Sequence, residues 1–165
     1  MEQKKGQKGF SLIELLIVVA IIGIIAAIAI PNLIASKRAA NEGSALSSLR
    51  VITSSEETYR ATKGGGDYGT MAQLYDNALV DQQLQTGTKS GYDFVVREDI
   101  GTLADPPARF EVDATPEVNA NGNKILGTGY RGFATCETGL IGFLTTGVAP
   151  AIDDTTRVNA GTVLQ

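Results

Sequence analysis

The chain has 165 residues, a net charge of −4, a single cysteine and no histidine, which allows one modest domain plus an extended element. Lack of histidine excludes a Ser-His-Asp triad, a Cys-His pair and imidazole metal ligands, and one cysteine makes no intrachain disulfide. Nothing points to other catalytic chemistry, so catalytic residues, metal ligands and cofactors are all read as none; an acidic chain is also a poor non-specific binder of nucleic acid.

In chain order, residues 1–9 are short, basic and polar, with Lys4, Lys5 and Lys8 against Glu2. The positive-inside rule puts this end in the cytoplasm, although Lys37 and Arg38 on the far side weaken the asymmetry. From Phe10 to Ile30 only Ser11 and Glu14 are plainly polar. As a helix this stretch measures about 31 Å, the thickness of a bilayer core.

Glu14 is the oddity, because a carboxylate in an apolar span is costly and usually has a partner. No cation follows it until Lys37. A cut between Gly9 and Phe10 would create an α-amine one turn before Glu14. That amine can pair with Glu14 of the same chain or of a neighbour one step along an assembly, which fixes axial register. A second reading stands beside this one: Ser11-Leu12-Ile13-Glu14 fits a capping box with Phe10 and Leu15 as its hydrophobic staple, and a helix N-terminus favours an anion. The two are compatible.

The run Lys8-Gly9-Phe10-Ser11-Leu12-Ile13-Glu14, behind a basic leader and ahead of Pro31, resembles the prepilin signature of type IV pilins and type II secretion pseudopilins. The strong resemblance covers residues 1 to about 60. It implies cleavage after Gly9 by prepilin peptidase, N-methylation of Phe10, and assembly into a helical homopolymer with Glu14 near the neighbour's N-terminus. It also implies an inner-membrane assembly platform with its ATPase, and a precursor held in lipid of the bacterial inner membrane before it enters an extracellular pilus or a periplasmic pseudopilus. The implied fold is α+β, a long N-terminal helix packed on a small antiparallel β-meander. The expected divisions are a leader over 1–9, a helix over 10–62 with its lipid or filament-core part at 10–30, and a globular head over 63–165. Many pilins close a C-terminal loop with a disulfide, and Cys136 as the lone cysteine departs from that pattern.

An ordinary secretory signal is the competing reading, since Ala27-Ile28-Ala29 supplies a cleavage pattern. It predicts a secreted or anchored binding module with no polymer role. The long hydrophobic region and the early Glu14 weigh against it.

Within the span, Gly23 and Ala27 form a small-xxx-small pattern that permits close helix approach in lipid, or is simple apolar filler. Pro31 lacks the N–H that would bond the Ala27 carbonyl, so Gly23 and Pro31 bracket the segment expected to kink or unwind. Ala45, Leu49, Ile52 and Tyr59 then share one face of a continuing helix. Gly64-Gly65-Gly66 should stop it; without a following Gly-Lys-Ser/Thr these glycines are no phosphate loop. Thr70-Met71-Ala72-Gln73 reads as a capping box for a short helix to about Ala78, and Asp81 as a cap for another turn. By resemblance this region would face the filament surface.

Alternating runs at Tyr92–Arg97 and Arg109–Asp113, then Tyr130–Cys136 and Leu140–Thr145, predict strands joined by short links. Asn121-Gly122 signals a tight turn. The expected sheet packs one face on the Ala45–Tyr59 stripe and leaves the other more polar. The tail from Gly147 reads as an outer or mobile loop, and Asp153-Asp154 as solvated rather than cation-binding. Cys136 reads as a buried small apolar residue.

Overall fold

The computed structural model describes residues 9–98, 108–118, 127–152 and 162–164. Residues 1–8 of the leader, Asn121-Gly122 and Asp153-Asp154 lie outside the described residues.

Helix α1 runs Leu12–Thr62 as one uninterrupted element that includes Pro31. The chain divides into two compact units, one up to Ser36 and one from Lys37 onward. The first unit is helix with almost nothing covering it. From Gly9 to Lys37 every residue is exposed except Ala26 and Ile34, which are half-buried.

The second unit, the head, begins inside α1. There the helix buries Ala45, Leu49, Ile52 and Tyr59, the stripe that a 3.6-residue period lines up. Lys63 and Gly64 both donate backbone N–H groups to the Tyr59 carbonyl, 2.8 Å each, and the chain leaves the helix through Gly65 and Gly66 at positive φ.

Helix α2, Met71–Asp76, opens on the expected capping box: Gln73 N–H donates to Thr70 Oγ1 at 3.1 Å, and Thr70 N–H to Gln73 Oε1 at 2.8 Å. It stops short of Ala78 because Ala78 adopts φ +56°. Leu79 N–H then reaches back to the Leu74 carbonyl at 2.9 Å, closing the helix end with a left-handed residue. Helix α3, Gln82–Gln85, is capped by Asp81, which accepts the Leu84 N–H at 2.9 Å.

The sheet contains β1 (Thr88–Lys89), β2 (Tyr92–Glu98), β3 (Phe110–Pro116), β4 (Gly132–Cys136), β5 (Ile141–Leu144) and β6 (Thr162–Leu164). They pair antiparallel in sequence order. The fold is thus α+β, a long apolar N-terminal helix followed by a six-stranded antiparallel meander. Tyr92 and Phe94 on β2 and Phe110, Val112 and Ala114 on β3 point into the core with the α1 stripe, Leu74, Leu84 and Phe133. Glu111 and Asp113 take the opposite face, where Arg97 bridges both.

Two strands escape the pattern of the sequence. β1 is two residues long and pairs with β2 through Ser90-Gly91, at φ 53° and 71°. That is a type I′ hairpin turn, whose second position suits glycine. β6 comes from the tail that reads as loop; its Leu164 pairs with Ile141.

The expectation of a polar outer face is corrected at β4, all of whose residues are buried. Ala134 and Cys136 pack there against Ile152 and Ala149, so part of the tail roofs the strand. Gly132 makes this possible, because a Cβ there would overlap the Val148 carbonyl and come within 2.6 Å of the Ala149 nitrogen. We expect Gly132→Ala to destabilise the head by about 1–3 kcal/mol, the usual range for overpacking, measured by urea unfolding of the full chain in detergent.

Candidate functional site

All five sequence-derived positions fall in the first unit. Gly9 and Phe10 precede the helix, and the first helical bond runs from Leu15 N–H to the Ser11 carbonyl at 3.2 Å. The Gly9–Phe10 peptide is therefore exposed and non-helical, the state a peptidase needs. Glu14 sits in the first turn, just beyond Phe10. Among the described residues no cation lies within ion-pair reach of it. Around it Phe10 is 85% exposed, Leu12 75% and Ile13 65%, so the carboxylate is set in bare apolar surface.

Gly23 and Pro31 lie further along the same helix. At Pro31 the Ala27 carbonyl loses its usual N–H donor. One turn on, the Asn32 side chain donates Nδ2 to the Ile28 carbonyl at 3.2 Å. Among the described residues α1 alone is long and apolar enough to cross a membrane, and its most apolar stretch has none of its residues buried.

The head holds a polar cluster that sequence reasoning did not pick out. Arg38 and Glu42 are both only 6% exposed. Arg38 donates Nε to the Gly127 carbonyl at 3.0 Å and Nη1 to Tyr130 Oη at 2.6 Å, with its guanidinium 4.8 Å from the Tyr130 ring centre. Asn41 donates to the Thr128 carbonyl at 2.9 Å. Glu42 accepts from the backbone N–H groups of Tyr130 and Arg131, at 2.9 and 3.3 Å, and from Arg131 Nε at 2.7 Å. Arg131 also lies over the rings of Phe133 and Phe143.

These contacts clasp residues 127–131 to the start of the α1 stripe. The signal was present in the spacing. Positions 38, 42, 45, 49, 52, 56 and 59 form one helical row, and its polar members are buried with the apolar ones.

Chemically, the cluster ties one segment of the chain to another. Among the described residues no three His, Cys, Asp or Glu side chains converge to hold a metal ion. Cys136 is a buried thiol, with its sulfur 3.2 Å from Thr138 Oγ1. Elsewhere on α1, Arg50, Val51, Ser54 and Thr58 line an open groove together with Ala78 and Leu79.

Residues 4–30 match the family described as the prokaryotic N-terminal methylation motif. The chain is 46% identical over 56 residues to the type IV wide pilus major component PilA4 of Thermus thermophilus, covering 34% of this chain and 43% of that protein. It is 34% identical over 80 residues to the type II secretion system core protein G of Aeromonas hydrophila, covering 48% and 54%. Over 119 aligned residues it is 35% identical to the type IV major fimbrial protein FimA of Dichelobacter nodosus, covering 62% of this chain and 73% of that protein. The chain thus spans about half or less of the first two relatives and most of the third. No solved structure matches it.

Removing Glu42 strands the partly buried Arg131 guanidinium and two backbone donors. Glu42→Ala should therefore destabilise the head by about 2–3 kcal/mol, below the full range for a buried pair because Arg131 is partly exposed. Urea unfolding of the full chain in detergent, beside Glu42→Gln as the milder change, measures it.

Proposed function

Because this chain belongs to the type IV pilin family, we propose that it is the structural subunit of a type IV pilus filament, assembled from the inner membrane. Its family assigns it a structural rather than an enzymatic role. In this reading prepilin peptidase cuts after Gly9, Phe10 is N-methylated, and the subunit waits in lipid with its N-terminus on the cytoplasmic side. The assembly platform and its ATPase then drive it into the filament.

The observation that carries the reading is the uncovered apolar surface of residues 10–34 with one carboxylate at its start. Each large aliphatic side chain moved out of water is worth about 1.5–3 kcal/mol, so this surface demands either lipid or copies of itself. Lipid meets the demand before assembly and neighbouring helices after it. Burial is then nearly conserved, and the change that sets register is Glu14 meeting the α-amine of a neighbour's Phe10. A segment from Gly23 to Pro31 that bends or unwinds would let helices adjust to that packing. The finer purpose — motility, adhesion or DNA uptake — belongs to the filament rather than to the subunit.

A second reading has its own support in the likeness to the Aeromonas secretion protein. As a pseudopilin the subunit would form a short periplasmic fibre with the same N-terminal chemistry. Imaging a strain that lacks this chain separates the two: loss of long surface fibres marks a pilus, and loss of protein export with fibres intact marks a pseudopilus.

Two further measurements test the shared premise. Mass spectrometry of the mature chain should find N-methyl-Phe10; a chain starting at Ile30, or one retaining Met1, would overturn it. Glu14→Ala should be processed and held in the membrane normally, yet enter filaments at a small fraction of the normal level. Normal incorporation would remove the pairing role.

A further inference from the structure

Glu56 lies on the buried row of α1 and is fully buried. Its Oε2 accepts the Gly69 N–H at 2.9 Å. Its Oε1 is buried with no hydrogen-bond partner. No cation forms an ion pair with it among the described residues.

The groups around it make matters worse for a charge. On α1 the next residue is Glu57, and Arg60 is already engaged: Nε with the Gly66 carbonyl at 3.1 Å, Nη1 with Tyr68 Oη at 3.3 Å, and 3.8 Å from Glu57. The loop contributes Tyr68, which donates its hydroxyl to Glu57 at 2.7 Å and sets its ring 4.7 Å from that of Phe110 on β3. β2 contributes Glu98, close enough to repel.

We propose that Glu56 is a proton-operated latch for residues 64–70, holding that loop on α1 while its side chain is neutral and releasing it on ionisation. The geometry supplies both halves. A neutral acid leaves a single O–H unpaired, whereas a carboxylate leaves a whole buried charge with one donor and two acidic neighbours, a far larger cost. The least costly relief is to admit water by lifting the loop. Gly64-Gly65-Gly66 gives the loop its hinge; its ties through Arg60 and Glu57 are partly exposed side chains and therefore weak, and the tie that opening must overcome is Tyr68, buried in the core against Phe110. Burial, then repulsion from Glu98 and Glu57, pushes the Glu56 carboxyl up to about 7 against the opposing Gly69 hydrogen bond. A carboxyl raised in the folded state favours folding most when protonated. The latch is therefore fully closed below the ordinary carboxylate range and loses its hold as pH climbs through about 7. The device acts within the head and is independent of whether the chain polymerises.

Hydrogen exchange of the full chain in detergent micelles tests it. Exchange is read at the Gly69 amide, corrected for intrinsic rates, at about pH 5.5 and about pH 8.5, either side of the expected midpoint. Protection should fall at least about ten-fold between them in the native chain, and should stay level in Glu56→Gln, which keeps an acceptor for Gly69 and cannot ionise. Level protection in the native chain, or an equal fall in Glu56→Gln, overturns the proposal. Should Glu56→Gln not fold, carbon NMR of the native Glu56 carboxyl decides alone. A midpoint near neutrality supports the latch, and one in the ordinary carboxylate range overturns it.

Discussion

An apolar surface that the chain does not cover itself is the constraint from which the rest follows. Between Phe10 and Ile34 the helix exposes leucine, isoleucine and valine on every side. A helix that is hydrophobic all round belongs in lipid or among other helices. Apart from the Ala27 carbonyl opposite Pro31, backbone hydrogen bonding is satisfied within the helix, so both environments accept it. Glu14 alone distinguishes them, because it is costly in lipid and gains from a placed cation. In the proposed filament a single carboxylate thus gives direction to a surface that would otherwise pack in any register.

The second half of α1 answers a different demand. Its inward row carries Arg38, Glu42, Ser48, Ser55 and Glu56 among Ala45, Leu49, Ile52 and Tyr59. Most of these polar groups are paired with backbone far along the chain, as Glu42 is with Tyr130 and Arg131 and Ser55 with the Leu79 carbonyl at 2.8 Å. Such bonds specify where loops attach rather than adding much net stability, since each replaces bonds to water. On this row Arg38 Nη2 and Glu56 Oε1 are both buried without a partner. Glu56 holds Gly69 with its other oxygen, so in the proposed latch its protonation state matters to the loop it holds.

With no intrachain disulfide, the outer part of the head relies on packing. The two-layer arrangement does this economically: α1 covers one face of the meander, and the Ala149–Ile152 segment covers β4 on the other. Small residues at Gly132, Ala134 and Cys136 are what let a chain segment lie so close to the strand.

The sequence by itself determined what depends on neighbours along the chain. The apolar run with its early glutamate, the α1 stripe, the Thr70 and Asp81 caps, and the alternation in β2 and β3 are all local patterns. Their periods are set by helix and strand geometry, and the local family motif around Gly9–Glu14 is of the same kind. Only the tertiary structure decided which polar side chains would be enclosed, that β4 would be buried on both faces, that the tail would supply β6, and that α2 would stop before Ala78. Burial of Arg38 or Glu56 depends on segments some tens of residues away, and short strands such as β1 and β6 carry too few side chains to show a period. Hydrophobic pattern is written residue by residue, whereas desolvation is a property of everything that comes to rest nearby.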